Sequence, residues 1–562
     1  MVPVIAAGRA PEGGVSDRRL RYRIWAAFCR SSLHRLSLAG RAPATLALTL
    51  RERWPGDPLQ GAAILDGQYR FAGETIAHPP QPWDATGASP EWYAALHGFS
   101  WLNDLAELGG NEAAEHARAL TQSWLQQFGE WHPLAWRADV MGARLISWIA
   151  HSEFIAPSAG DPALRLSFLR AVARQTRHLR RAAGWEVSGL ARLQALVGLL
   201  TGLLAVGAGD RALDDALHLL ERETQTQIHP DGGHAARSPT AQLAALRHLI
   251  DARAVLRAAG IEVSQPVQAA IDRATPMLRF FRHGDGKFAL FNDSAEMAPG
   301  GIDLLLARSE AKGRAPLSAP HTGFERLHLG KGLVLADCGV PAEDDLGVHP
   351  HAGTLAFEMS YGRERLIVNC GAYHGPSAAW HGALRTTAAH STLVVADTPS
   401  SQIAEDGRLE RRPRSVTCQR AEADGGQLIS LAHDGYKPNF SLIHARQLYL
   451  SADGDDLRGE DRLTGRAGHG FAIRFHLHPA VQASLTQDGS AALLRLPSGV
   501  GWRMRAQGAV MSLAESLYLG AGEIKKSQQI VLDGHVGTAG ASVNWAIRRE
   551  GRKAGEAPAA LK

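Results

Sequence analysis

Cysteine is scarce: four in 562 residues, at Cys29, Cys338, Cys370 and Cys418, far apart and without C-x-x-C or zinc-knuckle spacing. That excludes a disulfide framework and reads as buried thiols. No stretch approaches the roughly eighteen consecutive apolar residues of a membrane span. The opening MVPVIAAGRAPEGGVSDRRLRYRIW lacks the charged start and long apolar core of an export signal, so none is expected. A dominant charge is also lacking. Sixty basic and 56 acidic residues leave a formal +4, with no basic run or aromatic-basic motif to mark a nucleic-acid surface. Only eight of the basic residues are lysine. That bias reads as genome composition, though arginine forks also suit sulfate and carboxylate recognition.

What is present is a globular composition, 45% hydrophobic, in a chain too long for one core. Residues 1–16 are expected to be disordered and 17–38 to form a basic amphipathic helix. A connector rich in proline and glycine follows, with a short strand or two around GQYRFAGETI. From Pro90, apolar residues recur at three- and four-residue spacing. They predict helices over 90–109, 111–128, 136–155, 162–183, 186–206, 209–228, 239–259 and 264–282. Serial hairpins of this kind make a bundle, a solenoid or a closed toroid, and no strict repeat chooses among them. After residue 310 the period becomes two, in short strands such as GKGLVLADCG, TLAFEMSY and GFAIRFHLHP, which suggests an antiparallel two-sheet sandwich. The expected division is 1–89, 90–310, 311–545 and a disordered tail, 546–562. Ten of the thirteen tryptophans fall in the first 185 residues. They read as staples between helices, with Trp101, Trp131 and Trp136 as candidates to line a sugar cleft.

The chemistry concentrates between Gly347 and Asp397, where five histidines stand among strand-like runs. His349 and His351 are two apart, so on an extended backbone both rings leave one face, as a metal-binding or proton-handling pair. The apolar run LIVNCG follows, and His390 opens the strand that ends at Asp397.

These features resemble the C-terminal domain of the heparinase II/III family of polysaccharide lyases. The match is H-P-H-A-G at 349–353, V-N-C-G at 368–371 and R-T-T-A-A-H-S-T at 385–392. In the helical half, P-D-G at 230–232 precedes a Ser238-Pro239 helix start, also as in the family. The resemblance implies an incomplete α/α toroid followed by an antiparallel β-sandwich. It implies β-elimination on an acidic polysaccharide, in the periplasm or cell envelope; the N-terminus leaves the cytoplasm as the alternative. It further implies that His349 is catalytic and that His351, the residue at 369 and His390 hold zinc. Asn369 stands where the family has aspartate, and a neutral amide is a poorer zinc ligand than a carboxylate. Cys370, next to it, points to the other face of the strand.

On the helical side, Ser238 reads as a cap with Pro239 in the first turn. His234 and Arg237 are the candidates for substrate binding, Arg237 through its fork on a uronate carboxylate. The family's tyrosine beyond Ser-Pro has no counterpart, and Gln242 lies near its place. The family's Asn or His on the preceding inner helix is missing too; GWEVSGLARL offers only Glu186, Ser188 and Arg192.

β-Elimination needs a base for the C5 proton, a neutralised carboxylate and an acid for the leaving oxygen. His349 titrates near neutrality and suits either proton role, with Tyr373 as its partner. Arg237 with His234 would neutralise the carboxylate. The cluster of His351, Asn369 and His390 would orient the loop that carries His349. Other readings use the same residues. His351 and His390 make a metal-free pair bracing the sandwich, or the whole chain is a carbohydrate-binding protein that has lost catalysis. A glycoside hydrolase would need two facing carboxylates, for which Asp231 and Glu358 are available but unpaired in sequence.

Overall fold

The strand Gly332–Asp337 alternates between two cores. Leu333 and Leu335 join the apolar cluster of the helical half, while Val334 and Ala336 join that of the sheets. A strand buried on both faces reads as an unbroken apolar run, and GLVLAD is one. This chain, in a computed structural model that describes residues 14–50, 54–79, 81–375 and 377–551, thus has helices and sheets sharing one wall.

The helical half is an incomplete toroid of hairpins running from Pro90–Gly98 to Pro299–Ser309. Three of its helices and one before it start by the same device, an Asp or Ser side chain accepting a backbone N–H just ahead of a first-turn proline. The pairs are Asp57-Pro58, Ser89-Pro90, Asp161-Pro162 and Ser238-Pro239. The first of them opens Pro58–Leu65, a helix inside the stretch read above as connector. The strands expected nearby form Gln68–Phe71 and Glu74–Ala77. Helices Ala138–Ala150 and Gly189–Ala205 cross backbone to backbone: a Cβ on Gly198 would lie 2.2 Å from the Gly142 Cα. Trp101 and Trp136 are buried, donating their indole N–H groups to the Leu96 and Phe128 carbonyls at 2.9 Å each, so neither lines a cleft.

Among the described residues, the sheet half is a sandwich of two antiparallel sheets. The eight-stranded sheet begins Val416–Ala423, Gly426–His433, Leu442–Leu450, Asp456–Gly465 and continues through Ala541–Arg549. The nine-stranded sheet has Gly470–Leu477, Glu364–Val368, Phe357–Tyr361 and Gly332–Asp337 side by side at its centre. Strand Ala541–Arg549 carries the sandwich past residue 545. The N-terminal helix begins at Gly14, and the terminal segments expected to be disordered lie otherwise outside the described residues. No helix among them is long and apolar enough to cross a membrane.

Candidate functional site

Where the two halves meet, the loop 347–353 is not a strand, because its backbone is pinned from the helical side. The N–H of His349 donates to Asp293 Oδ2 at 3.1 Å and that of His351 to Asn292 Oδ1 at 3.2 Å. Asn292 and Asp293 both take positive φ, 45° and 61°, a conformation these short polar residues tolerate. The two rings therefore do not share a face. His349 is exposed and stands edge-on to His381, ring centroids 4.4 Å apart, whereas His351 is buried. His374 is exposed beside them, its Nδ1 3.6 Å from Asp293 Oδ1. Burial, then the neighbouring His349, lowers the His381 pKa. Tyr373 is half-buried, 6.4 Å from Trp380 between ring centroids. The outer face thus gathers three imidazoles, one carboxylate and two aromatic rings. Asp293 is the member that sequence reasoning missed; its signal was the Asn-Asp pair in FNDS, a left-handed turn far from the histidines in sequence.

Beneath that face the buried histidines form a directed chain. The Asp293 N–H donates to His351 Nε2 at 3.1 Å, so the His351 proton sits on Nδ1, which faces His390 Nε2 at 3.1 Å. His390 Nδ1 then donates to the Thr386 carbonyl at 2.8 Å. Burial pushes the His390 pKa down to about 4, and burial with His390 alongside lowers that of His351. Asn369 Oδ1 accepts the Ser391 N–H at 2.9 Å, and its Nδ2 donates to Glu358 Oε1 at 3.3 Å. Two imidazoles with every ring nitrogen engaged, and an amide oxygen already taken, do not fit a zinc ion as they stand. Cys370 points away, its sulfur 3.4 Å from His476 Nδ1. Strand alternation explains Glu358: Phe357 and Met359 enter the sandwich core, so Glu358 faces the helices. There it meets His283 Nε2 at 2.9 Å and accepts the Leu290 N–H at 2.9 Å.

The helical candidates are brought to the junction but are occupied in holding it. Arg237 is 5% exposed and lies over Phe324. Its guanidinium donates to the carbonyls of Thr322, Val340 and Gly323 and pairs with Asp337. It is not presented to a uronate. His234, 1% exposed, accepts the Ala236 N–H on Nδ1 at 3.1 Å and donates from Nε2 to Gln227 Oε1 at 2.8 Å. Burial pushes its pKa down to about 3. Gln242 accepts the His234 N–H at 2.6 Å and donates to the Gly232 and Ala274 carbonyls, so both its N–H groups are spent. Asp231 accepts from the backbone and hydroxyl of Thr322, and Glu358 is wholly buried, so the two carboxylates of the hydrolase reading do not face one cleft. Among the described residues, the Cys/His grouping close enough for one ion lies elsewhere, at Cys29, His34 and His178.

With this geometry in view, the chain matches the family model described as heparinase II/III-like, C-terminal, over residues 311–546. It is 33% identical over 540 residues to FtsZ-localized protein C of Caulobacter vibrioides, covering 92% of this chain and 93% of that one. Among solved structures it resembles heparinase III, with a TM-score of 0.72 and 14% identity, covering 96% of this chain and 92% of that one. A heparan sulfate lyase from Pedobacter heparinus matches with a TM-score of 0.62 at 15% identity, covering 97% and 92%. The identities to these two structures are low, so they speak to the fold.

Proposed function

The chain belongs to the heparinase II/III-like family, and we propose that this member uses the lyase scaffold to bind a uronic-acid-containing glycan without cleaving it. One observation carries the reading: Gln242, near the place of the missing tyrosine, is buried with both amide N–H groups committed, leaving no free proton donor there. Arg237, the candidate for neutralising the carboxylate, is likewise locked against Asp337. Elimination without a neutralised carboxylate loses the electrostatic contribution that usually counts most. The outer face still offers binding chemistry. Imidazoles of His349, His374 and His381 can donate to acidic oxygens, and the Tyr373 and Trp380 rings suit the flat apolar faces of sugars. The relative from Caulobacter is named for a location and not for a reaction, which supports a role other than degradation.

A second reading, cleavage with His349 as base and Tyr373 as acid, is favoured by the exposure of His349. Calorimetry and ultraviolet absorbance of the unsaturated uronate product, on heparan sulfate, alginate, hyaluronan and polyglucuronate, separate the two. Binding heat with flat absorbance is expected. A rise in absorbance that His349→Ala abolishes establishes the lyase instead, and the absence of both signals rejects glycan recognition. We place the protein in the periplasm or cell envelope; recovery only from the cytosolic fraction overturns that placement.

A further inference from the structure

We propose that Cys29, His34 and His178 form a zinc site that clamps the N-terminal helical hairpin to the toroid. Cys29 ends the helix Gly14–Cys29 and His34 lies in the short helix Ser32–Ser37. Between them the Ser31 hydroxyl donates to the Phe28 carbonyl at 2.6 Å and accepts the His34 N–H, turning the chain back so that thiol and imidazole converge. His178 comes from the long helix Pro162–Ala182. One ligand atom from each lies within 4.8 Å of the others, and His34 Nε2 is 2.9 Å from His178 Nδ1. Zinc bonds of about 2.0–2.1 Å to nitrogen and 2.3 Å to sulfur need the two nitrogens only slightly further apart.

The short helix supplies a second, independent observation. A helix of six residues cannot hold itself and depends on its buried face. Here the buried member is His34, while Leu33 and Leu36 are 66% and 70% exposed. The helix turns its histidine inward and its leucines outward, as a ligand-anchored segment does. The surroundings fit a metal as well. The three residues are 2%, 1% and 0% exposed, and Trp25, Phe28 and Trp136 wall them in. His178 Nε2 is buried beside the Trp136 backbone without a formed hydrogen bond, poised to donate once the ring is fixed by a metal. A hydrogen bond between the two rings explains their contact but leaves the thiol without a role. One thiolate and two imidazoles favour zinc over the hard, oxygen-seeking cations, and three protein ligands leave a fourth position for water.

The test uses the full chain. Zinc is quantified after gel filtration, and the cobalt-substituted protein is scanned for a thiolate-to-cobalt charge-transfer band. Stoichiometric zinc and that band are expected in the wild type and in His351→Ala. Cys29→Ser and His34→Ala are expected to lower metal affinity by about tenfold or more. Because the band is read on wild type, a variant that fails to fold does not decide the matter. A folded wild type that holds no zinc and gives no thiolate band overturns the proposal. So does zinc that is lost in His351→Ala but kept in Cys29→Ser.

Discussion

Arg237 pairs with Asp337 across the junction of helices and sheets, the two side chains 6% and 4% exposed. Its positive φ of 57° aims the guanidinium from the loop before helix Pro239–Ala258 into the last residue of strand Gly332–Asp337. A residue of the type that binds sugar carboxylates is here bound to a carboxylate of its own chain.

Breaking that pair removes a strut. Asp337→Ala leaves a buried guanidinium without its counter-charge and is expected to cost about 3–5 kcal/mol, read by chemical denaturation. Were Arg237 a ligand for glycan, Arg237→Ala would instead weaken binding and leave the denaturation midpoint in place.

His349 gives the opposite pattern. It is exposed, so His349→Ala is expected to change stability by less than about 0.5 kcal/mol. Glycan affinity should fall by roughly tenfold, equivalent to about 1.4 kcal/mol. Unchanged affinity by calorimetry would remove His349 from the binding face.

Gln242→Tyr does not restore a lyase. The phenol cannot reproduce the three hydrogen bonds that the amide makes, so the His234 N–H and two carbonyls lose partners. A loss of about 1–3 kcal/mol is expected, with no unsaturated product. Product formation would show that the helical wall is more adaptable than its bonding implies.

Asn369 is matched to Glu358. Replacing it by Asp sets two buried carboxylates about where the present 3.3 Å hydrogen bond lies. Asn369→Asp should therefore melt lower than wild type, and the gap should widen as pH rises and both groups ionise. An equal or higher melting point at pH 8 would contradict this.

Acid should destabilise the fold through its buried histidines. The pKa values of His97, His234 and His476 are held down to about 3, by burial in each case. Their unfolded value is about 6.5, so below it the unfolded chain takes up protons that the folded chain refuses. Each contributes stability that is full above about pH 6.5 and falls by up to about 1.4 kcal/mol per pH unit as pH drops toward 3. His248 and His478, less deeply buried, act in the same direction. Glu186 and Asp251, raised by burial to about 7 and about 6, oppose them, since they hold a proton in the fold and lose that stabilisation as pH rises. The lowered histidines outnumber the raised carboxyls and leave a net loss of stability between pH 6.5 and 4.5. A denaturation midpoint that stays level across that window would refute it.

The order of helices before strands, the Ser238-Pro239 helix start and the two histidine motifs are all legible in the sequence, because periodicity, capping and short spacing are local matters. The family could be read from them, and so could the loss of the helical tyrosine. Burial was not legible. Whether Arg237 meets solvent or Asp337, whether His349 and His351 share a face, and whether Glu358 looks into the sandwich or toward His283 depend on segments far apart in the chain. Asn292 and Asp293 pin the loop from more than fifty residues away, and Cys29 meets His178 only because two helices pack. The sequence determined which chemical groups exist and which elements carry them. The tertiary structure alone decided which are spent on holding the fold and which are left facing solvent, since excluding water is what turns a charged or titrating side chain into a strut.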